Sequence, residues 1–310
     1  MKTLRQLLPL LIAIVGLMAL FAVVVPGGRF VTADNLLDLL QQISINAILA
    51  FGLTLAILIG GIDLSVGAVV ALTGTVAVSA LPGTGWPGAA LAGLGTAAVF
   101  GFVNGICAAR TRMPPFIITL ATMLVARGLA LRFNEGRPLP VPDSEKVFLA
   151  LGNARLLGVV PVPVVIMLGA FALTAVLLHR TAFGQHLYAI GGNREAARYV
   201  GIPLASRETL VYVLCSALAG LAGLIHASQL YSAEPASGQG FELNAIAAVV
   251  VGGTSFTGGI GTMPGTLIGA AIIGILDKGL NQAGVHFSLQ YIIKGLVILG
   301  AVWIDVRRRK

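Results

Sequence analysis

Long apolar runs recur along the whole chain and are separated by short polar intervals. A helix needs about 20 predominantly apolar residues to cross the hydrocarbon core of a bilayer, and most of these runs approach that length. They predict membrane segments near residues 7–25, 38–60, 65–81, 86–109, 115–131, 162–178, 208–229, 242–253, 264–280 and 287–304. We therefore expect an all-α, polytopic transmembrane helical bundle of about ten segments, some of them short or broken at Gly-rich turns.

The composition supports a membrane protein with one domain. Of the 310 residues, 57% are hydrophobic and 10% are charged, whereas about 25% of the residues of a soluble domain are charged. No polar block is long enough for a separate domain, so residues 1–310 are expected to form a single transmembrane domain. The 40 glycines fit a tightly packed bundle, because small residues let membrane helices approach closely.

Several kinds of site are not supported by the residue pattern. The net charge of +8 comes from basic residues at the ends of apolar runs, so we expect it to orient the chain in the membrane rather than to bind nucleic acid. Cys107 and Cys215 lie inside apolar runs and the four histidines are scattered, so neither a disulfide nor a metal site is expected. No nucleophile, base and orienting group can be assembled, and we predict no catalytic residue.

The basic residues also predict the orientation of the chain. If the N-terminus is cytoplasmic, the inner loops hold 12 of the 20 basic residues, namely Lys2, Arg5, Arg110, Arg112, Arg180, Arg194, Arg198, Arg207, Arg307, Arg308, Arg309 and Lys310. Positive residues concentrate on the cytoplasmic side, so both termini are predicted to be cytoplasmic. The first apolar run, Leu7 to Val25, is about 19 residues long and lacks an A-x-A cleavage site, which favours an uncleaved span over a signal peptide.

Two longer polar segments interrupt the apolar pattern. Residues 133–161, the outer segment, contain four of the 14 prolines and are expected to form an ordered external cap. Residues 179–207, the inner loop, are the segment for which we predict a helix. Long connections in compact proteins usually have a function.

The inner loop carries a short motif. Arg194 to Arg198 favours a helix, and Gly201 and Pro203 are stop signals. Glu195-Ala196-Ala197 followed by Gly201 resembles the EAA-type coupling sequence of ABC importer permeases, and the residues before it resemble the ribose-type sugar branch. An ordinary solvated loop is the alternative on physical grounds alone. The resemblance implies an ATPase-coupling loop with Gly191, Gly192, Asn193, Glu195, Ala196, Ala197 and Gly201 as its characteristic residues.

The same resemblance covers both halves of the chain. Gly60 to Gly67 reads GGIDLSVG, a signature of the ribose-type branch, and Glu242 to Ser255 resembles another. Residues 44–48, 235–238 and 277–281 are also similar to ribose permeases. Asn244 departs from the acidic residue expected at its position, which removes one negative charge.

Asp63 lies between two apolar runs and is flanked by glycines. An ionisable residue within membrane segments is a functional candidate by default, and the glycines permit a broken or re-entrant helix. The alternative is structural: the Asp63 carboxylate caps a helix that starts near Ser65.

A second Gly-rich break, Gly252 to Gly261, is not a nucleotide site. A phosphate-binding loop requires GxxxxGK[ST], and no Lys follows these glycines. ATP and Mg²⁺ are therefore expected on a partner ATPase, with no cofactor bound by this chain.

Polar residues within the apolar runs are candidates for a translocation path. Neutral amides and hydroxyls suit an uncharged polyol, although an interhelical hydrogen bond is the alternative for each of them. The path candidates are Asn46, Asp63, Ser65, Asn104, Asn244, Thr254 and Asn281, and further polar residues within the runs are Gln41, Gln42, Thr54, Thr119, Thr122 and Gln229.

The resemblance implies a permease subunit of an ATP-driven ABC importer in the bacterial inner membrane. Its expected partners are an ABC ATP-binding subunit, a periplasmic sugar-binding protein, a second permease copy or homologue, the sugar and membrane lipid. D-ribose or a related monosaccharide is the expected substrate. Two alternatives remain: an ABC permease for autoinducer-2, and an ion-coupled secondary transporter that would use Asp63 and Asp277 as its intramembrane carboxylates.

Overall fold

The structure, a computed structural model, describes residues 2–307. Within this range the chain forms twelve α-helices and two short 3₁₀ turns, Pro26–Val31 and Phe133–Gly136. The helices are α1 (Lys2–Val24), α2 (Ala33–Leu58), α3 (Val66–Arg110), α4 (Pro115–Arg132), α5 (Lys146–Asn153), α6 (Val162–Arg180), α7 (Ala182–Gly192), α8 (Arg194–Tyr199), α9 (Leu204–Gln229), α10 (Phe241–Val251), α11 (Met263–Gln282) and α12 (Phe287–Arg307).

Seven helices within the described residues are long and apolar enough to cross a membrane, and α10 and α12 contain shorter apolar stretches. An all-α polytopic protein is therefore confirmed. The number of about ten segments and the cytoplasmic location of the termini stay predictions. Arg308, Arg309 and Lys310, which contribute to the orientation argument, lie outside the described residues.

Helix α3 combines two of the predicted segments, 65–81 and 86–109, in one helical element. Its backbone leaves the helical conformation at Gly85, where φ is 62° and ψ is −176°, a region that residues with a β-carbon rarely adopt. Gly93 packs against Thr73 and Ala77, so the two arms of α3 fold back on each other. The turn at Gly85 falls in the interval between the two predicted segments, and helical structure continues on both sides of it without a loop.

The centre of the bundle is formed by α2, α3 and α9. Gly52 of α2 packs against Cys215 of α9, and Gly101 of α3 packs against the backbone of Tyr212, also in α9. A β-carbon at either glycine would meet backbone atoms of α9, so glycine permits the close approach of these helices. This packing buries most of α2 between Leu39 and Leu58.

The outer segment is more regular than the sequence indicated. It contains the helix α5 and the short strands β1 (Leu139–Pro140), β2 (Arg155–Leu156) and β3 (Val160–Pro161). β1 pairs antiparallel with β4 (Ser232–Ala233), and β2 pairs with β3. The expectation of a helix in the inner loop alone was wrong, because α5 is an eight-residue helix whose Phe148 and Gly152 are buried against the bundle.

Between β4 and α10 the chain turns back into the bundle. Arg127 of α4 donates hydrogen bonds from Nη1 to the carbonyl oxygens of Pro235, at 2.8 Å, and Ser237, at 2.5 Å. The backbone of Gly238 packs directly against Gly67 at the start of α3. These contacts satisfy irregular backbone within the protein, the condition under which non-helical segments are tolerated at membrane depth. They attach the segment that precedes the short helix α10 to α3 and α4.

Candidate functional site

The predicted helix of the inner loop is present as α8. The Oδ1 atom of Asn193 accepts a hydrogen bond from the backbone N–H of Ala196 at 2.9 Å, which caps the helix. At the other end Gly201 has φ of 83°, and the N–H of Ile202 donates to the carbonyl of Ala197 at 3.1 Å. A left-handed glycine just after the last turn is a common helix terminator, so these residues define the two ends of α8.

The two faces of α8 differ in exposure. Glu195 and Ala196 are exposed, whereas Ala197 faces the protein and is buried. At the end of the helix Tyr199 and Val200 are 86% and 76% exposed. Exposed large apolar side chains that lie next to each other in a polar loop are typical of a protein contact surface.

An ion pair fixes α8 to α9. The guanidinium of Arg194 meets the carboxylate of Glu208 through two hydrogen bonds, from Nη1 to Oε1 and from Nη2 to Oε2, the second at 3.0 Å. Glu208 is buried, with 3% of its side chain exposed. Sequence reasoning missed this residue. The feature of the sequence that could have identified Glu208 is its position as an acidic residue in the first turns of an otherwise apolar helix. An acidic residue that is buried there requires a partner.

The end of α7 contacts two places in the chain: the end of α2, just before the Gly-rich break that leads into α3, and Gly259 in the second Gly-rich break. Gly191 packs against the carbonyl oxygen of Leu58, the last residue of α2, and against the backbone of Gly259. The same Leu58 oxygen accepts a hydrogen bond from the N–H of Gly259 at 2.8 Å. We call these three residues the glycine joint. Gly192 has no atom within 4 Å of the position of its missing β-carbon and is exposed, so the two adjacent glycines have different surroundings.

Tyr188 strengthens the contact between α7 and the second break. Its hydroxyl donates a hydrogen bond to the carbonyl oxygen of Gly261 at 2.7 Å. Burial raises the pKa of the Tyr188 hydroxyl, which keeps the proton on the oxygen and preserves this donor. Thr254 lies in the same break, where it is buried beside Gly261.

Three path candidates form one buried network around the first break. The Oδ1 atom of Asp63 accepts hydrogen bonds from the backbone N–H of Ser65, at 2.9 Å, and from its hydroxyl, at 2.6 Å. Asn104 donates to the Ser65 hydroxyl at 3.0 Å and accepts from Thr122 at 2.6 Å. Asp63, Ser65 and Asn104 are fully buried. The network joins the α2–α3 break to the second arm of α3 and to α4.

Thr119 completes this arrangement from α4. Its hydroxyl donates to the carbonyl of Ile62 and accepts from the N–H of Leu64, both at 3.1 Å. The backbone of the break is thus satisfied by side chains of neighbouring helices, as irregular backbone in a membrane requires. Asp63 lies three positions before Val66, the first residue of α3, and its carboxylate bonds to Ser65, the residue directly before the helix, rather than to a backbone N–H of α3 itself.

A pocket lies elsewhere, between α2, α9, α10 and α11. Its volume is about 220 Å³, below the range of about 300–1,000 Å³ typical of sites for drug-sized ligands, so it suits a smaller solute. Its lining residues are Gln42, Ile43, Ile45, Asn46, His226, Gln229, Phe241, Asn244, Gly274 and Asp277.

The pocket combines free hydrogen-bonding atoms with one aromatic ring. Within the described residues, Asn46 Oδ1 and Gln229 Nε2 are buried and have no hydrogen-bond partner. The first is an acceptor and the second a donor. Phe241 lies edge-on to His226, with ring centroids 5.3 Å apart. An uncharged solute with several hydroxyls and an apolar face is complementary to this lining.

The path candidates are therefore divided among three places. Asn46 and Asn244 lie in the pocket, together with Gln42 and Gln229. Asp63, Ser65, Asn104 and Thr254 are buried away from it, and Asn281 is exposed at the end of α11. Thr54 bonds to Thr266 at 2.7 Å and Gln41 to the Gly152 carbonyl at 2.9 Å. His226, Phe241 and Asp277 line the pocket but were not among the path candidates.

Comparison with known proteins places this geometry in a family context. Residues 35–302 match the family described as branched-chain amino acid transport system / permease component. The ribose import permease protein RbsC of Bacillus subtilis is 45% identical over 295 residues, which cover 94% of this chain and 91% of that relative. RbsC of Escherichia coli strain K12 is 45% identical over 308 residues, 96% of this chain and 93% of that relative.

A relative with another sugar in its name is more distant. The L-arabinose transport system permease protein AraH of Escherichia coli is 35% identical over 304 residues, which cover 95% of this chain and 91% of that relative. These similarities extend over the segments that form both the pocket and the glycine joint.

Proposed function

The chain belongs to the branched-chain amino acid transport system / permease component family, as a permease subunit of a sugar ABC importer, and we propose that its sugar is D-ribose. It is a transport subunit rather than an enzyme, and a multi-pass protein of the inner membrane. The family implies an ATP-binding subunit and a periplasmic binding protein as partners. This family assignment replaces the alternative interpretation of the chain as an ion-coupled secondary transporter.

The pocket between α2, α9, α10 and α11 is the proposed sugar site on the translocation path. The observation that carries this proposal is the small pocket itself, which is lined by the polar side chains of Gln42, Asn46 and Gln229 together with the ring of Phe241. Asn46 Oδ1 and Gln229 Nε2 have no partner within the described residues, which is unfavourable by about 1–3 kcal/mol for a buried polar atom, and rotation of these two amides would turn them toward the hydroxyls of a sugar. The names of the similar permeases favour ribose among monosaccharides.

The inner loop is the proposed docking site of the ATPase. Its exposed residues Glu195, Tyr199 and Val200 are held on a short helix that is capped at both ends. ATP and Mg²⁺ are bound by the partner ATP-binding subunit. We assign the transmission of its movement to the glycine joint, where α7 contacts the end of α2 and Gly259. Because α2 also supplies Gln42 and Asn46 to the pocket, this contact links the two sites.

Pairing with a second permease copy or homologue in a lipid bilayer is part of the same proposal. Large apolar side chains are exposed along α4, α6 and α12, including Leu124, Leu173 and Leu296 at 65%, 59% and 63%. Such surface is unfavourable in water, and lipid or a second copy would cover it.

The test is sugar uptake by the complete importer. Proteoliposomes would contain this chain, its ATP-binding subunit and its periplasmic binding protein, and would be supplied with radiolabelled D-ribose, D-xylose, L-arabinose or autoinducer-2. We expect ATP-dependent accumulation that is fastest for D-ribose. Faster uptake of autoinducer-2 or of another sugar would overturn the ribose assignment. Uptake driven by a proton gradient without ATP would contradict coupling through an ATPase.

A further inference from the structure

Asp277 brings a carboxylate to the wall of the proposed sugar pocket. It lies on α11, and within the part of the chain that the structure describes it is the one acidic residue that lines this pocket. About one-fifth of its side chain, 21%, is exposed. A charged group is unfavourable at such a place unless it is paired, so its neighbours determine what it is able to do.

Lys294 of α12 is the partner of this carboxylate. Its Nζ atom lies 3.2 Å from Asp277 Oδ1, and only 17% of the lysine side chain is exposed. The ammonium also lies 5.3 Å from the centre of the Tyr291 ring, which adds a cation–π contact. Asp277 Oδ1 is buried on the side of the lysine. The exposed part of Asp277 is therefore not this atom, and the second carboxylate oxygen is the acceptor left for the pocket.

Lys294 also orients an amide of the pocket. Its Nζ donates a hydrogen bond to Asn244 Oδ1 at 3.4 Å. With its oxygen turned toward the lysine, Asn244 has its two N–H donors available in other directions. One lysine thus holds a carboxylate from α11 and an amide from α10 in fixed positions at the same wall. At this wall Asp277 supplies a hydrogen-bond acceptor and Asn244 supplies hydrogen-bond donors.

We propose that Asp277 determines which sugars pass through the pocket, by accepting hydrogen bonds from two adjacent hydroxyls through the carboxylate oxygen that does not face Lys294. This inference rests on the proposed function of the pocket as the sugar site. An ionised carboxylate is only an acceptor, and each oxygen has two lone pairs, so the arrangement matches a vicinal diol. A deoxy sugar would leave one acceptor site without its donor.

The energetic reason for selectivity is the charge of Asp277. Hydrogen bonds to charged groups are stronger than those between neutral groups. A site built to bind a substrate hydroxyl discriminates strongly against an analogue that lacks it, because the buried polar group is then left unpaired. Asn46 and Gln229 add neutral hydrogen bonds to the remaining hydroxyls, and the Phe241 ring contributes apolar surface for the sugar C–H groups.

The competing explanation is that Asp277 and Lys294 form only an interhelical ion pair. The variant Asp277→Asn removes the charge and leaves the size of the side chain nearly unchanged. The double variant Asp277→Asn/Lys294→Gln removes both charges, so no unpaired ion remains. A merely structural pair predicts that the double variant recovers uptake, whereas sugar binding by Asp277 predicts that it does not.

The experiment measures ATP-dependent uptake of D-ribose and 2-deoxy-D-ribose, together with 3-deoxy-D-ribose, by the complete importer in proteoliposomes. Asp38→Asn is the control, because Asp38 is 58% exposed and its nearest cation is Arg155 at 3.8 Å. We expect Asp277→Asn and the double variant to lower ribose uptake by roughly tenfold or more and to reduce the preference for ribose over at least one deoxy analogue. The control should match the wild type in ribose uptake and in the preference for ribose over the deoxy analogues.

Either of two results would overturn the role of Asp277 alone: unchanged ribose uptake and selectivity in Asp277→Asn, or recovery of both in the double variant. If the wild-type complex accumulated none of these sugars while the same preparation hydrolysed ATP, the proposed function itself would be wrong, and the inference with it. The wild-type measurement separates these two failures.

Discussion

Gly191 packs against the carbonyl oxygen of Leu58 so closely that a β-carbon at position 191 would overlap that oxygen. Gly191 belongs to the inner loop, and Leu58 ends the helix that lines the pocket with Gln42 and Asn46. The contact is between backbone atoms, which cannot move aside as a flexible side chain does. Any displacement of α7 therefore acts directly on the end of α2.

Gly191→Ala should push α7 away from α2 and weaken ATP-coupled sugar uptake. Inserting a methyl group into a well-packed site destabilises a protein by about 1–3 kcal/mol. We expect a lower Tm of the purified permease and loss of most uptake in proteoliposomes.

Gly192→Ala is the matched control, because no atom lies within 4 Å of the position of its β-carbon. It should keep the Tm and uptake of the wild type. Equal effects of the two substitutions would contradict the glycine joint as the point of transmission.

Arg194→Met should destabilise the inner loop by leaving the buried carboxylate of Glu208 without its partner. Hydrogen bonds to charged groups are worth about 1.5–3 kcal/mol, and Arg194 is itself half exposed, which favours the lower part of that range. Thermal unfolding and limited proteolysis of the loop measure the effect. The double variant Arg194→Met/Glu208→Gln should recover part of the loss, and Arg198→Met, at an exposed position of the same helix, should have little effect. No recovery in the double variant would argue against the pair.

The local features of the inner loop were predictable from the sequence because they depend on residues close together in the chain. The Asn193 cap and the terminator Gly201 act within a few residues of α8. The extents of most long helices follow from the same kind of local signal. The turn of α3 at Gly85 was also marked locally, by a Gly-Pro-rich stretch between two apolar runs.

The pocket could not be predicted in this way, because its residues come from four helices that are far apart in the sequence. Nothing in the local pattern distinguishes Asn46, which lines the pocket, from Asn104, which bonds to Ser65. The contact of Lys294 with Asp277 and Asn244 likewise depends on tertiary packing. The helix α5 was missed because eight residues between prolines give too short a periodic pattern.

Asp63→Asn and Asp63→Ala should differ if Asp63 supports the first break rather than reacting with the substrate. Asn keeps an oxygen that accepts the two hydrogen bonds from Ser65, whereas Ala leaves these donors unpaired inside the protein. We expect Asp63→Asn to retain uptake and Asp63→Ala to lose about 1–3 kcal/mol of stability, measured by thermal unfolding alongside uptake. Loss of uptake in Asp63→Asn with an unchanged Tm would instead assign Asp63 a direct role in transport.

Tyr199→Ala should weaken binding of the ATP-binding subunit. Aromatic side chains that become buried at the centre of an interface often contribute about 2 kcal/mol or more, and Tyr199 is 86% exposed in the isolated chain. The measurement is the Kd of the detergent-solubilised permease for that subunit, together with the Tm of the permease. Tyr231→Ala, at an exposed tyrosine beyond the opposite end of α9, is the control and should leave the Kd unchanged. An unchanged Kd in Tyr199→Ala would remove this residue from the docking surface.

Asn46→Leu and Asn281→Leu compare two asparagines that the sequence alone predicted equally as candidates for the translocation path. Asn46 lines the pocket, and its Oδ1 atom has no partner among the described residues, so the substitution removes an amide available to the sugar and breaks no hydrogen bond of that oxygen. Asn281 is exposed at the end of α11. We expect Asn46→Leu to lower ribose uptake by about 5–10-fold, the equivalent of one neutral hydrogen bond of about 1–1.4 kcal/mol, while its Tm stays near that of the wild type. Asn281→Leu should leave both quantities unchanged. Removal of an unsatisfied buried polar atom does not by itself weaken the fold, so a loss of uptake without a loss of Tm would locate the sugar at Asn46. Normal uptake in Asn46→Leu would place the path outside this pocket.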